Sequence, residues 1–271
     1  MKLLISIAAL ALLAQEEKVE LRWKWQKGQE LVYLTSQKNA NEFMRQETGT
    51  TYSMTVSDVT EKGEATLQVK HLRVTSKVLS VQGAFEYDSD KDKVPPEKSP
   101  ALILSKLVGQ TFTARMTALG EITDIQGFDK ILAALVEGAG EDIPGLRDHL
   151  ARMFTNETFK STMQQMAPQL PEGKVGKGDA WSSDHSFSMA DIGKKTFTVK
   201  STFAELQDQV ATIQQEIHGG ETREAQGKST MKFSVDRGCL ISQKSTIETM
   251  ISQQGQEMAM KTTTEVRLVE K

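Results

Sequence analysis

One cysteine, Cys239, stands in 271 residues. No internal disulfide can form, so the fold rests on its core, which a chain of this length can bury. The longest apolar run, Leu3 to Leu13 with only Ser6 polar, is too short to cross a bilayer as a helix. There is no Gly-x-Ser-x-Gly elbow, no His-Glu-x-x-His, no phosphate-binding glycine loop and no paired-cysteine metal site. His71, His149, His185 and His218 are isolated in sequence and read as surface or edge residues. Asp88, Asp90 and Asp92 open like a calcium loop, but Lys93 replaces its turn glycine and Ser99 its bidentate glutamate, leaving a solvated acidic loop. With 33 basic against 36 acidic residues, a net charge of -3 gives no electrostatic reason to bind nucleic acid. The expectation is a non-enzymatic protein with no catalytic residues, no metal and no cofactor.

What is present is a compartment signal and a repeated β pattern. Lys2, the apolar run and the small residues to Ala14 form a signal peptide over residues 1 to 14. An exported protein of the periplasm or extracellular space is expected, with no membrane span once that leader is removed. From Val19, apolar Val19, Leu21, Trp23 and Trp25 alternate with Glu20, Arg22 and Lys24, the period of a half-buried strand. Glu30 to Glu47 turns polar after Leu34 and reads as partly an edge. Alternation resumes over Thr50 to Val59 and Glu64 to Val81, and Phe85 to Lys98 reads as a charged loop.

The stretch 107–127 then recurs at 227–247. Phe112, Ala114 and Met116 alternate with polar residues before the Gly120 turn; Met231, Phe233 and Val235 do so before the Gly238 turn. Each is a β-hairpin, and the recurrence predicts a fold built by duplication. Between the copies, Phe128, Ile131, Leu132 and Leu135, and further apolar residues to Met166, fall at helical spacing. The domain reading is a first β-rich half at 15–127, a helical insert at 128–173 and a second β-rich half at 174–271, integrated by pseudo-repeat. The fold class is α+β and mostly antiparallel, a duplicated, curved, half-barrel-like sheet with helices packed across its concave face.

The Trp-x-Trp and Lys-Gly lead-in of Trp23 to Gly28, the Gly-Lys-Gly-Asp-x-Trp turn of Gly176 to Trp181 and the two glycine-turn hairpins resemble those of uncharacterised secreted bacterial proteins of unknown function. The resemblance implies a shape similar to periplasmic lipoprotein-carrier proteins and brings no catalytic residue with it.

Within the insert, Met153, Phe154, Phe159, Met163 and Met166 combine apolar surface with the adaptability of methionine. They are the candidate lining for an apolar ligand such as a lipid or acyl chain in the cell envelope; the same stripe also suits plain core. The alternative function is an envelope structural or protein-interaction module with no small-molecule ligand, joined to a partner through a sheet edge.

Overall fold

The computed structural model describes residues 18–81, 83–95, 100–138, 155–156, 159–160, 163–164, 167–189, 193–219, 225–253 and 256–269. The expected leader lies outside these residues, as do His149, Met153, Phe154 and Met166. The first half holds β1 (Glu30–Ala40), β2 (Met44–Val59), β3 (Ala65–Ser80), β4 (Gly83–Asp88), β5 (Thr111–Met116) and β6 (Ile122–Gln126). The second holds β7 (Ala180–Met189), β8 (Gly193–Gln207), β9 (Val210–Gly219), β10 (Ala225–Ser234), β11 (Cys239–Gln253) and β12 (Gln256–Val269). Helix α1 (Pro100–Ser105) lies between β4 and β5 within the first half, and α2 (Phe128–Gly138) follows β6, between the halves.

All the strands join one curved antiparallel sheet in the order β6-β5-β3-β2-β1-β12-β11-β10-β9-β8-β7, with β4 also on β3. That order contains the duplication. The series 6-5-3-2-1 maps onto 11-10-9-8-7, and β12 bridges the two by pairing β1 on one side and β11 on the other. Irregularities repeat as well: β2 and β8 carry matching bulges after Val56 and Phe203, and the two hairpins of the repeat are each bulged just after their turns, at Thr123 on β6 and Ile241 on β11. Bulges bend a strand and deepen its twist, so paired bulges curve both halves in the same sense.

One end of the sheet is closed by a strap. Residues 18–29 cross it, with Trp23 N–H on Ala118 O at 2.9 Å, Lys24 N–H on Gly238 O at 3.0 Å and Gly28 N–H on Val56 O at 2.8 Å. The alternation expected there is real, since Leu21, Trp23 and Trp25 are buried. It makes one isolated bridge, Val19 to Val175, instead of a sheet strand. Trp23 stacks on Trp25 with centroids 5.1 Å apart and meets the Phe233 ring edge-on at 5.4 Å.

Two sequence expectations change. The polar stretch after Leu34 is no edge: β1 is flanked by β2 and β12 throughout. Its inward residues Thr35, Gln37 and Asn39 are polar because the concave face is polar at that height. The segment read as a charged loop from Phe85 begins as β4, paired to β3 over Gly83 to Asp88, with Tyr87 buried. Beyond it, Asp88 accepts from Arg73 at 2.6 and 2.9 Å, and Asp90 sits 3.2 Å from the same guanidinium. Arg73 holds the Asp88 carboxyl well below the usual range. Among the described residues no group of acidic, His or Cys side chains is arranged to hold a metal ion.

Candidate functional site: an uncharged concave face

Strand alternation and the pairing register define which residues face inward. From the strap upward, β9 presents Ala211, Ile213, Gln215, Ile217 and Gly219; β10 presents Phe233, Met231, Ser229, Gly227 and Ala225 opposite them. Up to the level of Ile213 and Met231 the face is packed core. Phe203, Ile213, Met231, Phe233 and Leu240 are at most 3% exposed. On the first half, α2 lays Phe128, Ile131 and Leu135 into the same core, which is why its apolar residues recur at helical spacing.

The sequence-predicted lining residues that lie in the described chain, Phe159 and Met163, fall in this packed region. Phe159 stacks on Phe128 at 4.4 Å and meets Phe112 edge-on at 4.7 Å. Met163 is 5% exposed and borders a cavity of about 20 Å³ with Tyr33, Tyr52, Met54, Met116 and Leu240. That volume corresponds to about one water molecule. The Tyr33 hydroxyl donates to Leu240 O at 3.1 Å, and burial pushes the Tyr52 hydroxyl up to about 12.

Above the core runs a belt of neutral hydrogen-bonding side chains. Gln215 Nε2 donates to Ser201 Oγ at 3.1 Å, and Gln243 Nε2 donates to Gln215 Oε1 and Ser229 Oγ, both at 3.3 Å. Ser201, Gln215 and Ser229 are buried, while Gln243 Oε1 has no partner among the described residues. Higher still, Val199, Ile217 and Ile247 are only partly buried and stand outside the core cluster. From Gln215 to Gly219 this upper strip is about 13 Å deep at the usual strand rise. Where Gly219 lies, a Cβ would come within 2.6 Å of the Phe197 ring, so glycine there lets the ring lie flat on the strand.

From the strap through the belt and up to Phe197 and Gly219, no Asp, Glu, Lys or Arg occupies an inward position of the described paired strands; on β8 the inward register meets its first charged residue at Lys195, two positions beyond Phe197 toward the rim. Inward positions of β1, β2 and β12 at belt height are Thr35, Gln37, Thr48, Thr50, Thr262 and Thr264. His71 and His185 also occupy inward positions: for the buried His71, in the middle of β3, this corrects the reading as a surface or edge residue, whereas His185 stands on β7, at the end of the strand order. His71 lies 6.0 Å from the Phe112 ring, and burial pushes its pKa down to about 4. His185 is lowered by burial too. Its Nε2 is 2.9 Å from Ser183 Oγ, but Nδ1 has no acid to orient it among the described residues, so the pair lacks the third member of a nucleophilic triad. Cys239 is buried and its thiol pushed up by that burial, away from reactivity.

The free edges of β6 and β7 are joined by the end of the insert. Gln164 accepts from Ile122 N–H and donates to Gly120 O and Ala167 O, each at 2.8 Å. Leu170 N–H reaches Leu119 O at 2.8 Å, and Trp181 Nε1 donates to Gln169 O at 3.0 Å. Lys160 Nζ adds a bond to Thr123 O at 3.3 Å, so Gln164, Lys160 and Leu170 together satisfy backbone groups that the start of β6 and its turn would otherwise leave open. At this seam lies a cleft of about 170 Å³, lined by Ile122, Gln164, Gln169 and His185 together with charged Glu121, Lys160 and Asp184.

An antiparallel half-barrel, strapped at one end and carrying a belt of neutral side chains above its core, is the class the fold and site define. The chain belongs to the DUF6263 family, a family of unknown function, whose model matches residues 62–269. No curated protein matches. Among solved structures the chain is similar to one described as lipid-protein interactions in lipovitellin, at 9% identity and a TM-score of 0.51, covering 91% of this chain and 26% of that one. The chain therefore spans about a quarter of that protein's length, and at this identity the likeness is one of fold. Among the described residues no helix is long and apolar enough to cross a membrane.

Proposed function

We propose that this is a non-enzymatic exported protein that holds an uncharged apolar ligand, of the lipid or acyl class, against the upper concave face of its sheet. The observation that carries the reading is the absence of charged residues from the inward positions between the strap and Phe197, combined with a belt of Ser, Thr and Gln above a sealed core. Such a face gains by taking apolar surface from water, at ~25 cal/mol per Å². An anionic head would enter it unpaired, which costs several kcal/mol. A neutral head, ester, hydroxyl or amide, finds donors and acceptors on Gln243 and its neighbours. The resemblance of the fold to a protein described by its lipid interactions supports the same class. Function in the periplasm or outside the cell follows from the leader read in the sequence.

Native mass spectrometry of the protein purified without detergent, followed by organic extraction, tests this. A stoichiometric apolar adduct is expected, and it is lost in Ile217→Lys while circular dichroism stays unchanged. A bare mass for the unaltered protein contradicts it.

A further inference from the structure

The end of the sheet opposite the strap carries an unusual distribution of exposed apolar side chains. Val81, Leu79, Phe43 and Met250 are 84, 55, 54 and 52% exposed, four of the five largest such exposures among the described residues, with Val94 the fifth. They occupy three hairpins that are neighbours in the sheet: Phe43 between β1 and β2, Leu79 at the end of β3 with Val81 in the turn to β4, Met250 near the end of β11. The register brings the first two to one height, with Met44 opposite Ser80 and Arg45 opposite Leu79. The third projects farther. β1 stops at Ala40 opposite Lys261, whereas β11 and β12 pair on to Gln253 and Gln256.

Charge is organised around these tips. Lys38, Glu47, Lys77 and Glu86 form a row across four adjacent strands, with Lys38–Glu47 at 3.2 Å, Lys77–Glu86 at 3.3 Å and Glu47 paired in register with Lys77. Lys261–Glu248, at 3.5 Å, continues this collar on β12 and β11. Above it, residues 78–85 and 249–256 contain no charged residue, in a chain that is 25% charged, and the β1–β2 tip carries one charge of each sign, Glu42 and Arg45, on either side of Phe43. The collar consists of matched pairs, so it presents no net field of either sign.

We propose that this rim docks on the surface of a lipid bilayer, with the hairpin tips entering the boundary between headgroups and acyl chains. The apolar residues are dispersed over separate tips and form no groove, which suits a fluid surface; a protein partner requires a contiguous, shape-matched patch. Their surroundings are free of net charge, so apolar burial drives the contact and anionic lipid contributes little. The same rim borders the concave face proposed above for an uncharged ligand, so docking places that face at the lipid source. The docking stands on the rim residues alone; only its purpose rests on the ligand reading.

Vesicle flotation tests it, using phosphatidylcholine vesicles with and without about one fifth phosphatidylglycerol, at low and high salt. The protein is expected to float with both kinds of vesicle, with less than a twofold effect of salt. A triple variant, Phe43→Ser with Val81→Ser and Met250→Ser, leaves residues 1–14 untouched and is expected to lower the bound fraction at least tenfold. These side chains are exposed, so its melting temperature stays the same. Protein that remains unfloated, a triple variant that floats equally well, or binding abolished by salt would each overturn the proposal. A concentration-dependent dimer lost in the triple variant, without flotation, would assign the rim to a second copy of the chain. Native mass spectrometry of the triple variant separates the two readings, since a ligand adduct that persists while flotation is lost leaves the ligand reading intact.

Discussion

Gln215 donates to Ser201 across 3.1 Å at the height where buried core gives way to a half-buried, neutral surface. Both side chains are buried, so neither can turn to water when its partner is removed. Gln215→Leu strands the Ser201 hydroxyl and one contact of Gln243, and is expected to cost about 1 to 3 kcal/mol. The double variant Gln215→Leu with Ser201→Ala removes both ends of the bond and recovers most of that loss, because matched apolar replacements are nearly neutral. Urea denaturation of the three proteins measures the coupling; strictly additive effects would count against a shared bond.

The glycine turns differ sharply in what they tolerate. Gly120 has φ +89°, and a Cβ there would lie 2.4 Å from Pro168 O, so Gly120→Ala must push the insert away from the β6 edge. A loss on the order of 2 to 4 kcal/mol is expected from strain and displaced backbone together. Gly28, at φ +81°, has nothing within 4 Å of that position, and Gly28→Ala is expected to cost only about 1 kcal/mol. Equal drops in melting temperature for the two variants would contradict this.

Stability should fall with acidity in two stages. The pKa of His71 is about 4 when folded, against an ordinary 6.5. Between those values the unfolded chain binds a proton that the folded chain does not, so stability rises with pH across that window. The effect is about 3 kcal/mol over the full window, burial of His185 acts in the same direction, and His71→Phe is expected to flatten the slope. A second loss begins nearer pH 4 and continues as the pH falls, when the carboxylate of Asp88 that Arg73 holds is finally protonated. His71→Phe retains this second stage. Denaturant midpoints from pH 3 to 8 measure both; an unchanged slope near pH 5 in the variant would contradict the assignment.

The duplication was legible in the chain because positive-φ glycines leave marks in sequence. Lys27-Gly28 and Lys177-Gly178 each lead into a strand, and Gly28 N–H on Val56 O and Gly178 N–H on Phe203 O, both 2.8 Å, are the same contact in the two halves. Helix α2 was legible through Phe128, Ile131 and Leu135, one stripe with one burial. The belt was not. Where Thr35, Gln37 and Asn39 face inward and Ser36 and Lys38 outward, both faces are polar and the period of two vanishes. Gln215 and Gln243 likewise carry no hydrophobic signal, so only the register reveals that they meet. Gln164 sealing the β6 edge was equally hidden, being one polar residue in a helical stretch whose partners lie more than forty positions away.

The most direct test of the neutral concave face compares two ligands that share one acyl chain, a monoacylglycerol and the corresponding fatty acid, by native mass spectrometry at pH 8. A one-to-one adduct with the monoacylglycerol is expected, with at least tenfold weaker binding of the ionised fatty acid and with Gln243→Lys reversing the preference. No adduct with either ligand, or a preference of the unaltered protein for the anion, would contradict it.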